Sequence, residues 1–293
     1  MNNKKILITG GAGFVGTNLV RYLLEKTDYK IISVDNYSSG SKKNHIKNTR
    51  VKYIKGNTRN ISKLIKKPNQ IKTIFHFGEF SRIYQSFLNM NECIESNTVG
   101  SNSIFNFCLK NKIKLIYSAT SASLGNKGDD KNLSPYAFSK AKNLELLENL
   151  KKWFNFKYEI IYFYNVYGPN QICKGHMSTV IGIFEDHYKR NKALPVVRPG
   201  TQSRRFTHID DTVKICYMAW KKNLCRHYSI SNKKSYSIID VAKLFDSKIK
   251  YLPRRAGERY ASALTNKNLS NKIYKYFGKV SLKKYIKDFT KNN

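Results

Sequence analysis

Tyr136 and Lys140 stand four residues apart in the run Ser134, Pro135, Tyr136, Ala137, Phe138, Ser139, Lys140, and a phenol beside an ammonium can move a proton. Serine followed by proline is a helix-start signature, so Tyr136 falls in the first turn and Lys140 on the same face one turn later. A phenol with a pKa of about 10 is a poor base at neutral pH. An adjacent ammonium and the helix dipole favour the phenolate, and that makes a general base. The same spacing also occurs on solvated helix faces, so the pair needs other residues before it signifies chemistry.

Those residues lie near the start of the chain, where Gly10, Gly13 and Gly16 sit in the run ILITGGAGFVG. Ile6, Leu7 and Ile8 read as a buried parallel strand, and Val15, Leu19, Tyr22 and Leu23 recur at helical spacing. Glycine permits the tight turn between them and lets the main chain approach a pyrophosphate, while the helix N-terminus supplies N–H groups and a positive dipole end. A second strand, from Lys30 to Val34, leads into Asp35, at the distance where an acid accepts hydrogen bonds from an adenosine ribose. Asp35 would repel a 2′-phosphate, so the pattern favours NAD over NADP. A bound nicotinamide would add a further cation near Tyr136. A strand-turn-helix followed by an ordinary acid is the alternative reading.

Further strands read from Val51 to Tyr53, Thr73 to His76, Leu115 to Ser118 and Glu159 to Tyr164, with helices between them. This alternation predicts an α/β fold: a Rossmann, doubly wound parallel sheet with a smaller, interleaved C-terminal substrate domain. The expected boundaries are 1–165 for the NAD-binding domain, with a return segment at about 206–230 that opens at Phe206, and 166–293 for the substrate domain. The ligand belongs at the carboxyl ends of the strands, between the two.

The 293 residues, 41% of them hydrophobic, suffice for one large or two modest domains. No stretch reaches the roughly 18 apolar residues of a membrane span, and Gly10 and Gly11 interrupt the first apolar run too early for a signal peptide. Cys93, Cys108, Cys173, Cys216 and Cys225 form no CxxC pair, which predicts reduced thiols, a cytoplasmic location and no metal site. A net charge of +35 draws polyanions, yet the lysines are scattered and no basic arm or nucleic-acid motif accompanies them. Salt-sensitive nonspecific adsorption is expected, and no specific nucleic-acid partner.

In GGAGFVG, Asp35, FHFGE (His76 to Glu79), YSATSASLG (Tyr117 to Gly125), SPYAFSK, YFYNVYGP (Tyr162 to Pro169) and PGTQSRRFTHIDD (Pro199 to Asp211), the chain resembles the extended short-chain dehydrogenase/reductases. It is most similar to their NAD-dependent nucleotide-sugar epimerase/dehydratase group, and within it to the UDP-glucose 4-epimerase type. The resemblance implies that Gly10, Gly13, Phe14, Val15 and Gly16 cradle the pyrophosphate and that Asp35 and Asn36 hold the adenosine ribose. It implies Phe77 and Gly78 along the middle of the cofactor, Asn97 near the nicotinamide ribose, and Tyr164 with Tyr136 and Lys140 completing the cofactor site. Tyr136, Lys140 and Thr120 take the catalytic positions, Thr120 by hydrogen-bonding the reacting sugar oxygen. Asn165, Arg204 and Arg255 match positions that hold the substrate diphosphate, and Glu258 one that holds the substrate ribose. The planar fork of arginine suits phosphate oxygens. The implied substrate is a nucleotide-diphosphate sugar, of UDP type, and the implied assembly a homodimer.

The chain also departs from the family. Asn57 and Thr58 stand where an aspartate usually meets the adenine amino group, and the amide of Asn57 can still accept that bond. Glu79 puts a charge at the nicotinamide end. Lys174 aligns with a second acid/base of the heptose 6-epimerases, or is one more surface lysine. Ser121 and Ala122 replace the Asp-Glu pair that 4,6-dehydratases carry after the catalytic hydroxyl, and the glutamate of decarboxylating members is missing too. Oxidation and reduction at one carbon remain, which predicts 4-epimerisation of a UDP-hexose or UDP-N-acetylhexosamine through a 4-keto sugar. The alternatives are an ADP-heptose 6-epimerase, a keto-sugar nucleotide reductase, and a silent NAD-sensing or nucleic-acid-associated binding protein.

Overall fold

The computed structural model describes residues 4–124, 132–257 and 273–293. Six strands alternate with helices through the first half: β1 (Lys5–Thr9), β2 (Lys30–Asp35), β3 (Val51–Lys55), β4 (Ile71–His76), β5 (Lys114–Thr120) and β6 (Tyr158–Phe163). The helices among and after them are α1 (Phe14–Lys26), α2 (Ile61–Leu64), α3 (Ile83–Leu88), α4 (Met90–Ile94), α5 (Ser101–Lys110) and α6 (Pro135–Phe154). A π-helical segment, Glu95–Gly100, joins α4 to α5.

Alternation along the strands builds two cores. Leu7, Ile74, Leu115 and Ile160 point to one face, where Ile104, Phe105 and Cys108 of α5 and Leu147 of α6 cover them. Ile6, Ile8, Phe75, Ile116 and Ile161 point to the other, under Leu19, Val20 and Leu23 of α1. Residues i and i+1 of a strand face opposite sides, so an unbroken run such as Ile6-Leu7-Ile8 suits only a sheet covered on both.

Beyond β6 the chain forms β7 (Val166–Tyr167), α7 (Val180–Lys189), β8 (Leu194–Val197), β9 (Ser203–Arg205), β10 (Thr207–His208) and α8 (Ile209–Lys222). Then follow β11 (His227–Ser231), β12 (Ser235–Ser237), α9 (Ile238–Lys243), β13 (Ile249–Leu252), β14 (Ile273–Phe277) and α10 (Leu282–Lys291). The chain comes back to the sheet after β10: α8 packs Val213, Cys216 and Ala219 on the second core, and β11 pairs with β6. A second return, which the sequence reading did not foresee, adds β14 beside β11. The eight-stranded sheet runs β14-β11-β6-β5-β4-β1-β2-β3, with every pairing parallel.

The intervening segments gather around a third core, in which Tyr167, Phe184, Val196, Phe206, Val241, Phe245, Leu282 and Ile286 pack together. Its small sheets pair β8 with β13, β9 with β12 and β7 with β10. Among the described residues no helix is long and apolar enough to cross a membrane.

Candidate active site

A cavity of about 670 Å³ opens at the carboxyl ends of β1, β2, β4 and β5 and runs out to β8, β9 and the stretch before Gly257. Gly10 takes φ +69°, and a Cβ there would meet Gly78 N and the Phe77 carbonyl carbon at 2.8 Å. A Cβ on Gly16 would lie 2.1 Å from the Gly10 oxygen. Gly13 caps α1 without a side-chain hydrogen bond, so the first N–H groups of the helix face the cavity beside Phe14 and Val15. At the end of β2, Asp35 accepts from Ala12 N at 2.9 Å and from Tyr37 N at 2.8 Å, while burial pushes its carboxyl above the usual range. A cradle too tight for a Cβ, a helix N-terminus and a carboxylate one strand away fit a dinucleotide.

Tyr136 enters the same cavity from α6. Ser134 caps the helix by accepting from Ala137 N at 3.0 Å, with Pro135 in the first turn, as the Ser-Pro signature predicts. Thr120, at the end of β5, lies beside the Tyr136 phenol and favours its ionised form. Burial pushes that phenol up to about 12; the Thr120 hydroxyl opposes the shift, the Glu79 carboxylate adds to it, the Arg82 guanidinium opposes it, and Cys93 adds to it.

Lys140 is buried and fully engaged. Its Nζ contacts a carboxylate oxygen of Glu79, donates to the Ser118 carbonyl at 2.5 Å, and lies 4.7 Å from the Tyr117 ring centre. Glu79 is buried too, accepting from Ser101 Oγ at 2.7 Å, Tyr117 Oη at 2.9 Å and Asn143 Nδ2 at 3.2 Å. The charge that the sequence places at this end is therefore the counter-ion of Lys140.

The cavity brings together Gly10, Gly13, Phe14, Val15, Gly16, Asp35, Asn36, Phe77, Gly78, Thr120, Tyr136 and Lys140, with Asn165, Arg204 and Arg255 toward the far end. Other expected residues stay off its lining. Asn97 is fully buried: its amide accepts from Phe80 N at 2.7 Å and donates to the Phe80 carbonyl and Ser139 Oγ, so it fastens the loop after β4 to α6. Tyr164 is buried in the first core. Asn57 caps a short turn by accepting from Arg59 N at 3.1 Å, and Thr58 is buried beside Gly100. Lys174 points outward, largely exposed, with Nζ 3.6 Å from Asp186 Oδ1. Glu258 lies outside the described residues.

Arg82 is a cavity residue that the sequence reading missed. It donates from Nε to the carbonyls of Met177 and Ser178 at 3.0 and 3.2 Å, tying the loop after β4 to the segment before α7. An arginine in a loop of a chain with 54 basic residues gives no signal by itself.

The profile described as the NAD dependent epimerase/dehydratase family matches residues 6–231. The chain belongs to that family. Its cofactor is the family's NAD, and the chain is a member of the nucleotide-sugar epimerase/dehydratase enzymes. It is 28% identical to a putative UDP-glucose 4-epimerase of Methanocaldococcus jannaschii, over 98% of this chain and 99% of that one. It is also 28% identical to the ADP-L-glycero-D-manno-heptose-6-epimerase of Brachyspira hyodysenteriae, over 81% of this chain and 79% of the relative. The UDP-glucose 4-epimerase of Thermotoga maritima, solved with UDP-glucose, shares the fold at a TM-score of 0.83 and 24% identity, over 98% and 97% of the two chains.

Proposed function

We propose that the protein is a nucleotide-sugar 4-epimerase that acts on a UDP-hexose or UDP-N-acetylhexosamine and retains its NAD. One observation carries this reading: the Thr120–Tyr136 pair faces the cavity, and the residues lining it next to Thr120 are Ser121 and Ala122. Elimination of water needs an acid for the leaving hydroxyl and a base for the neighbouring proton. Serine and alanine supply neither, whereas epimerisation at one carbon needs only the Tyr136 base used in both directions.

Gly10, Gly13, Phe14, Val15 and Gly16 hold the pyrophosphate in this reading, Asp35 and Asn36 the adenosine ribose, and Phe77 and Gly78 the middle of the cofactor. Bound NAD supplies reversible hydride acceptance at the sugar carbon. Thr120 orients the C4 oxygen, and Tyr136 takes its proton as the carbon is oxidised, leaving a 4-keto sugar. The sugar turns over in the cavity, and Tyr136 returns the proton to the oxygen as the opposite face is reduced. Arg204, Arg255 and Asn165 grip the diphosphate, where arginine pairs two-to-two with phosphate oxygens; Glu258 meets the substrate ribose.

The protein works as a homodimer in the cytoplasm, a setting that the free state of all five cysteines supports. Incubated without added cofactor, the purified protein should convert UDP-galactose or UDP-N-acetylgalactosamine to the C4 epimer, read from the anomeric protons by NMR. Tyr136→Phe should abolish turnover while NAD stays bound. Near-normal turnover in that variant excludes the mechanism, and no conversion of either sugar by the parent protein turns the assignment toward a heptose epimerase, a reductase or a silent binder.

A further inference from the structure

Arg255, Ala256 and Gly257 line the cavity from the stretch of chain beyond β13. Every residue from Pro253 to Ala256 is exposed, so burial does little to hold this stretch in place. A free arginine side chain samples many rotamers, and ordering it only when a ligand arrives subtracts from affinity. A diphosphate grip in such a setting needs a support.

Helix α3 supplies one. The Arg255 guanidinium carbon lies over the ring of Tyr84, 5.0 Å from its centre, within the range at which an aromatic face attracts a cation. A guanidinium carries its N–H donors in its own plane, so a ring against its face leaves them available to phosphate oxygens. Two residues on, the same stretch presses on the same helix. A Cβ on Gly257 would meet Phe87 Cε2 at 2.7 Å and Ile83 Cγ2 at 2.8 Å. The loop leading into α3 makes a further tie, since Arg82 donates from Nε to the Met177 and Ser178 carbonyls at 3.0 and 3.2 Å. That loop begins with Phe77 and Gly78, which line the same cavity. One short segment therefore joins the expected cofactor path to two pieces of chain at the substrate end.

We propose that Tyr84 is a positioning residue whose ring holds the Arg255 guanidinium ready for the substrate diphosphate. The role rests on the reading given above, in which Arg255 grips that diphosphate. Tyr84 is half-buried and Arg255 exposed, so water competes and the contact is modest in strength. What Arg255 requires of residue 84 is an aromatic face; the hydroxyl is not part of the contact.

The test titrates UDP into NAD-saturated protein by calorimetry, for the parent, Tyr84→Leu, Tyr84→Phe, Arg255→Met and the double variant Tyr84→Leu/Arg255→Met. Tyr84→Leu should raise the Kd about threefold, the effect of one partly exposed cation–ring contact, and Tyr84→Phe should stay within about 1.5-fold of the parent. Arg255→Met should raise it about tenfold or more, as a charged phosphate contact is lost. In that background, adding Tyr84→Leu should change nothing further, because the ring has no guanidinium left to hold. Parent-like binding by Tyr84→Leu overturns the proposal, and so does a Tyr84→Phe variant as weak as Tyr84→Leu. A threefold loss that persists without Arg255 overturns it too, since the ring would then meet the nucleotide itself. Failure of the underlying reading looks different: the parent does not bind UDP, or Arg255→Met binds it as the parent does, and either result strikes that reading and this role together.

Discussion

Gly16 and Gly175 show why identical residues differ in meaning. A methyl on Gly16 would stand 2.1 Å from the Gly10 oxygen and 2.7 Å from Gly11 Cα, both backbone atoms that cannot step aside without opening the turn between β1 and α1. Gly16→Ala should therefore cost about 1–3 kcal/mol of stability, typical of overpacking, and weaken NAD binding more than about tenfold. Gly175 has φ +83° with open space around its Cα, so Gly175→Ala carries only the left-handed backbone penalty of about 1–2 kcal/mol. Its NAD affinity should match the parent's. Urea denaturation with NAD titration by fluorescence reads both quantities, and equal NAD affinities in the two variants would contradict this account of the loop. The tight turn at these glycines was legible because backbone packed this closely leaves no room for a Cβ. Asn97 was not, since a buried amide that fastens a loop and one that meets a cofactor have the same letter and the same sequence context.

His76 joins three elements. At the end of β4 its ring meets Thr9 Oγ1 of β1 at 2.6 Å and Ser101 Oγ of α5 at 2.9 Å, and burial pushes its pKa down to about 4; Glu79 opposes the shift and Lys140 adds to it. The unfolded chain takes up this proton below about 6.5, the folded protein only near 4. Between those values the unfolded state binds more protons, so stability drops as the pH falls through the window, by about 3 kcal/mol when complete. Urea midpoints of the parent and His76→Gln between pH 6.5 and 5 should diverge, with a flatter slope in the variant; parallel slopes would mean that His76 is not held neutral. Elements of this kind were readable where two-sided burial leaves an unbroken apolar run, as in Ile6–Ile8. β14 was missed because Tyr274-Lys275-Tyr276 alternates at the edge of the sheet, and half-exposed aromatics amid lysines resemble any basic surface. The split role of Glu79 and Lys140 was likewise hidden, since only the fold brings together Ser101, Tyr117 and Asn143 around one carboxylate.

At the scale of the whole molecule, a charge of +35 sets two copies against each other, so any dimer must be held by apolar contact rather than by charge complementarity. The described surface offers such contact on α3, α4 and α6, helices that pack on one another. Leu88 is 62% exposed, Met90 54% and Phe138 41%, with Val99 of the π-helical segment at 51%. Exposed apolar side chains gathered on contacting helices suit an association surface. Salt then acts with an unusual sign. Screening over a Debye length of about 10 Å at 0.1 M weakens the repulsion between protomers and leaves the apolar contact untouched. Raising the salt from low to moderate concentration should therefore drive the protein from monomer toward a dimer of twice 34.0 kDa, as read by light scattering on a sizing column. Leu88→Arg combined with Met90→Arg should hold it monomeric at every salt concentration while NAD binding persists, because neither side chain lines the cavity. A double variant that still dimerises would place the interface elsewhere, and a dimer that dissociates as salt rises would mean that ion pairs, not these helices, join the protomers.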